Sequence, residues 1–97
     1  MDKIKVGGVE YTVERKELEA SEGVQFGWCR CDKALIEIND RINEQKQEQT
    51  LIHELTHAMF HECGLDGRDD EEDIVNRLSI VLHQVLKDND FSFIRSN

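Results

Sequence analysis

Five residues, His53-Glu54-Leu55-Thr56-His57, restrict what this chain can fold into more than any other stretch. They sit inside Thr50-Leu51-Ile52-His53-Glu54-Leu55-Thr56-His57-Ala58-Met59-Phe60-His61, whose apolar residues recur at helical spacing. On a helix, histidines four apart stand one turn apart on one face, so both imidazoles can reach a single ion. Glu54 cannot join them as a ligand in that geometry. It lies beside the ion, where it can take a proton from an attacking water. The fold must therefore build a helix here and bring a further ligand to it.

The rest of the chain bounds the context. At 97 residues it is expected to form one domain, residues 1–97, with one modest core. No apolar run is long enough to cross a bilayer, and the opening Met1-Asp2-Lys3-Ile4-Lys5-Val6 lacks the apolar core of a signal peptide, so a cytoplasmic protein is expected. A net charge of −9 argues against a nucleic-acid partner, which needs a basic face. Three cysteines, an odd number, suggest reduced thiols rather than a disulfide frame.

Strands come first. Ile4 and Val6, then Val9, Tyr11 and Val13, alternate across Gly7-Gly8, a two-residue hairpin signal. Residues 15–22 read equally as a helical turn or a continuing strand. Residues 23–31 read as a third strand bent at its glycines, Asp32-Lys33 as a turn, and Ala34 to Asn39 as a β-branched strand. Helices follow. One starts at Asn43 and ends near Cys63, with Gly64 as its stop and Leu51, Ile52, Leu55, Met59 and Cys63 as its buried stripe. A second begins within Asp69–Asp73, its acids complementing the helix dipole, and carries Ile74, Val75, Leu78, Val81, Leu82, Val85 and Leu86 on its apolar face. The tail from Asp88 is expected to fold back as a short strand or extended segment. Strands before helices make the class α+β: a small, mostly antiparallel twisted sheet packed on two helices.

A catalytic zinc usually holds three protein groups and one open position. His61 is about 12 Å along the helix axis from His53, too far for one ion with bonds of about 2 Å. The longer metzincin pattern would need glycine at 60 and histidine at 63, where Phe60 and Cys63 stand. A carboxylate from the second helix remains. Glu72 is favoured because Asn76, four residues on, shares its face and can bond to a ligand histidine; Glu71 shares a face with Val75 and Asp73 with Arg77. Glu71 and Asp73 stay open as alternatives.

An HExxH helix followed by a helix with a ligand glutamate is the gluzincin arrangement. Gln49 to Ala58 resembles the active-site helix of ImmA/IrrE-type metallopeptidases and of small HExxH proteins encoded by bacteriophages. Glu72-Asp73-Ile74-Val75-Asn76-Arg77-Leu78-Ser79 is similar to that family's second helix, and the resemblance covers residues 23–87. It implies a zinc metallopeptidase: His53, His57 and Glu72 as ligands to Zn2+, Glu54 as general base, and a protein or peptide substrate, such as a regulatory protein. It also implies that Ala34 to Asn39 is the edge strand on which an extended substrate pairs. Tyr11, His61 and His83 are candidates for steadying a developing oxyanion.

Cys29-Arg30-Cys31 is spaced too closely for a zinc ribbon and reads as small apolar packing, with a separate thiolate site including Cys63 as the alternative. Phe26 and Trp28 read as core, His83 as an exposed or capping residue. Two rivals to a peptidase remain: a zinc-stabilised protein-binding module, and a latent enzyme completed by a partner.

Overall fold

The computed structural model describes residues 1–19 and 23–95. Its sheet begins with a hairpin of β1 (Asp2–Val6) and β2 (Val9–Lys16), paired antiparallel from Asp2↔Val13 to Val6↔Val9. Gly7 and Gly8 close it at φ 58° and 85°, the positive values a tight two-residue hairpin turn requires. The ambiguous segment after Glu14 is strand as far as Lys16, with an isolated bridge from Glu19 to Val24. Residues 20–22 of that segment lie outside the described residues.

β3 (Gly27–Arg30) is shorter than the 23–31 expected, because Cys31–Lys33 coils into a 3-10 turn that ends with Ala34 left-handed. β4 (Leu35–Asn39) follows. Sheet order is β1-β2-β4-β3, so β4 inserts between its predecessors, parallel to β2 and antiparallel to β3. Two of the three pairings are antiparallel, and two main helices follow the sheet, the α+β class expected. One expectation fails here: Ala34–Asn39 is not an edge. Bonded on both sides, β4 has no ladder positions left for a substrate, and the edge on that side is β3.

Helix α1 (Glu44–Glu62) starts where Asn43 predicts, its side-chain oxygen accepting from Lys46 N at 2.8 Å, and ends ahead of Gly64 at φ 81°. It lies across the sheet face made by Val6, Tyr11, Val13, Ile36 and Ile38, meeting them with Leu55 and Ala58. Leu51 and Ile52 pack at the rim. Met59 and Cys63 are exposed, correcting the expected stripe. The helix presents Ala58, not Met59, at its closest approach, and Glu54 and Thr50 are buried in the same layer.

Helix α2 (Glu71–Asp88) packs on α1 through Val75 and Ser79, its only buried residues. Leu78, Val81 and Leu86 of the expected apolar face are about half exposed, because α1 covers one side of α2 only. The tail forms a short helix α3 (Ser92–Arg95) instead of a strand, and residues 96–97 lie outside the described residues. Among the described residues, no helix is long and apolar enough to cross a membrane.

Gly27 sets the distance between β3 and α1. A Cβ there would lie 2.7 Å from Thr50 Cγ2 and 2.8 Å from the Glu37 carbonyl oxygen, one of them immovable backbone. Gly27→Ala is therefore expected to lower stability by about 1–3 kcal/mol, as overpacking does. Urea unfolding should show a reduced midpoint with an unchanged slope.

Candidate metal centre

The two histidines leave α1 toward the space between α1, β3 and the start of α2. Their rings stand 5.0 Å apart, nearly edge to face. Glu72, in the first turn of α2, divides its carboxylate between them: Oε1 is 3.1 Å from His53 Nε2 and Oε2 is 3.0 Å from His57 Nε2. One ligand atom from each of the three residues lies within 4.8 Å of the others. Tetrahedral donors with bonds of 2.0–2.1 Å stand roughly 3.4 Å apart. Each imidazole nitrogen already stands near that distance from an oxygen of Glu72.

His57 shows why a cation fits. Its Nδ1 lies 2.6 Å from Glu71 Oε2, and Glu71 Oε1 accepts from Gly67 N at 3.0 Å. A carboxylate cannot donate, so Nδ1 carries the proton and donates to Glu71. In the neutral imidazole that leaves a lone pair on Nε2, facing a second carboxylate oxygen. Two acceptors aimed at one another need a positive charge between them, either a proton on an imidazolium or a metal ion. His53 Nε2 points at the same carboxylate, and burial holds its pKa below the ordinary histidine value against the opposing pull of Glu72. The donor set of two imidazole nitrogens and one carboxylate suits a divalent transition ion.

Of the three acids left open, the structure brings Glu72 to the pair. Glu71 serves behind it, bonding to His57 in the role expected of Asn76. The reason is positional. Glu71 is the first residue of α2, so its side chain reaches back over the inter-helix loop to α1. Asp73 pairs with Arg77 at 3.4 Å, one turn on and away from the centre. Because a bonded outer carboxylate fixes the orientation of a ligand imidazole, Glu71→Ala is expected to weaken metal binding 10- to 100-fold. Competition against a chromophoric chelator measures this, and Asp73→Ala should leave the affinity unchanged.

Glu54 sits beside the pair on the same helix, 8% exposed, and lines the cleft. Burial raises its pKa to about 7; His57 works against that rise and Glu72 adds to it. A carboxylate that titrates near neutrality is matched to taking a proton and returning it. The cleft runs past the centre in both directions, with Phe26, Ile80 and His83 toward one end and Cys31, His61 and Asp66 toward the other.

Several other sequence expectations change. Phe26 is 44% exposed and lines the cleft instead of the core. Trp28 is half-buried and donates to Glu37 Oε1 at 2.5 Å, with Arg30 stacked 5.1 Å over its ring. That bond, with Lys16 and Arg30 nearby, holds the Glu37 carboxyl below its usual range. Tyr11 is fully buried and donates to Glu62 Oε2 at 2.7 Å, which removes it as an oxyanion candidate. His61 bonds to Asp66 and stays out of the ligand group; His83 is half-buried and bonds to Glu48 of α1 rather than standing free or capping α2.

The chain matches no family model, no curated protein and no solved structure.

Proposed function

We propose that this α+β chain is a minimal zinc-dependent peptide hydrolase of gluzincin type, in which His53, His57 and Glu72 hold zinc and Glu54 is the general base. The observation that carries the reading is the convergence of His53 Nε2, His57 Nε2 and both Glu72 oxygens on one point, with Glu54 buried beside it. Bound there, zinc would supply Lewis acidity toward a carbonyl and lower the pKa of water. The protein's own part is positional. Glu71 orients His57, and α1 holds Glu54, one residue on from His53, in the wall of the same cleft, where it would meet an attacking water. Glu54 accepts that water's proton and returns it to the leaving amine. β3, the edge strand on that side of the sheet, offers its outer edge beyond Gly27 to an extended peptide, in place of β4 as the sequence suggested; the Gly27 carbonyl itself accepts from Gln25 Nε2.

A second reading is favoured by one feature. The Glu72 side chain is 66% exposed, which leaves one side of the ligand group open to solvent. Such a centre suits a zinc-stabilised module that binds a protein partner without turnover. Substituting Glu54→Gln separates the two. Incubated with a mixed peptide library, the zinc-loaded protein should cleave, and the variant should bind zinc equally but cleave at least about 100-fold more slowly. No cleavage by the native protein under saturating zinc would leave the binding module in possession.

A further inference from the structure

Cys29 and Cys31 lie apart from the ligand set, on the wall of the same cleft. Their sulfurs are 3.4 Å apart, in contact, and both are half-buried. Two residues separated by one span at most about 7 Å even in a fully extended chain. The chain is not extended here. It leaves β3 at Arg30 with φ −102° and ψ 87° and turns at once into the 3-10 helix, which brings the side chain of Cys31 back over that of Cys29. The separation of their α-carbons therefore falls near the range a disulfide accepts, up to about 6.8 Å. Cys29 also packs against the core cluster, and the turn that carries Cys31 is closed by a hydrogen bond from Ala34 N to the Cys31 carbonyl, so both thiols are held in this arrangement. Simple packing of two small apolar groups needs neither the turn nor the contact between sulfurs.

From this contact we infer that Cys29 and Cys31 form a two-electron thiol–disulfide site, reversibly oxidised by small peroxides or low-molecular-weight disulfides that enter the cleft. With a peroxide, one thiol is oxidised to a sulfenic acid as the O–O bond breaks and water leaves. The neighbouring thiol then attacks that sulfur, the S–S bond forms, and a second water carries away the oxygen and the proton. With a disulfide such as oxidised glutathione, the Cys31 thiolate displaces one glutathione, since burial and the contact with Cys31 hold the Cys29 thiol well above the ordinary thiol range. Cys29 then loses its proton and displaces the other, giving two reduced glutathiones. Either route removes two hydrogens from the protein. The site does not depend on the metal or on hydrolysis, and Cys63, exposed at the end of α1 and bonded to the Phe60 carbonyl, stands outside it.

The test uses the full chain, metal-free, equilibrated across a glutathione redox series, then acid-quenched, alkylated and mapped by mass spectrometry. The expected result is a species 2 Da lighter whose fragment spanning residues 29–31 resists alkylation under oxidising conditions and accepts two alkyl groups after dithiothreitol. Cys63→Ser should form the same species; Cys31→Ser should not. Alkylation of both Cys29 and Cys31 in the native chain at the oxidising end would overturn the inference. So would a disulfide that always includes Cys63.

Discussion

Glu54→Gln is expected to stabilise the metal-free protein by about 3 kcal/mol at pH 8, while removing the group proposed for catalysis. The pKa of Glu54 is raised from 4.5 to about 7, first by burial, then by Glu72, against the pull of His57. Every tenfold change in proton affinity corresponds to about 1.4 kcal/mol between protonation states. The sign follows from the protons bound. Between pH 4.5 and 7 the folded chain holds the Glu54 proton more tightly than the unfolded chain does, so raising the pH through that window costs stability. Below pH 4.5 both states are protonated and the cost vanishes; above 7 it is complete and constant. A glutamine of nearly the same shape carries no charge to desolvate, so the difference between variant and native protein should be near zero at pH 4 and rise to its plateau by pH 8. Urea titrations in excess chelator across that range measure it. Equal or lower stability of the variant at pH 8 would show that Glu54 is not held in a desolvated environment, and its assignment as a tuned base would go with it. A purely structural glutamate would behave in the opposite way, losing stability on substitution.

The pH window of that experiment contains other groups, which is why the variant difference is the readout. Glu37, bonded by Trp28 and paired with Lys16, has its pKa lowered and contributes stability above the usual carboxylate range that fades as pH falls through its folded value. Both proteins share it, so it cancels.

The parts of this arrangement that could be read from residue order are those fixed by local geometry. Asn43 and Gly64 mark the ends of α1 because an N-cap oxygen and a left-handed stop act within a turn of where they stand. His53 and His57 share a face because the helix puts them there, and Glu72 follows at the head of the next helix. Neighbour relations were not legible. Nothing in the alternation of Ala34–Asn39 says which strands flank it. A meander would have paired β2 with β3, whereas β4 returns between them in parallel with β2 and makes β3 the edge. Met59 and Cys63 fall outside the buried stripe because the helical period allows several stripes, and the one the fold adopts is that in which Ala58 meets the sheet. Helix-face spacing predicts Asn76 as the partner of a ligand histidine, but it governs contacts along α2 and not a first-turn side chain reaching back to α1, which is how Glu71 comes to bond His57. Phe26 stands in the bent approach to β3, where alternation no longer tells core from cleft.

Zinc in large excess is expected to raise the thermal midpoint of the native protein by about 15–30 °C. A ligand that binds only the folded state at about 1,000 times its dissociation constant adds about 4 kcal/mol. In a domain of this size each kcal/mol is worth roughly 4–8 °C. The folded state alone assembles the site, since Glu72 comes from a different helix than His53 and His57. The shift should vanish in His57→Ala, which removes one donor and leaves Glu71 and Glu72 facing a gap, and a chelator should reverse it in the native chain. Its pH dependence is also set by the site. Metal must displace any imidazole proton, so the shift fades as pH falls. Burial lowers the pKa of His53 and so favours its neutral, ligating form, and the zinc effect should therefore persist somewhat below the ordinary histidine range before it is lost. Scanning calorimetry at fixed zinc from pH 8 down to 5 follows both trends. An unchanged midpoint at pH 7.5 with millimolar zinc would mean that the two imidazoles and the Glu72 carboxylate meet as a proton-bridged ion pair and not as a metal site, and the hydrolase and the zinc-stabilised module would fail together.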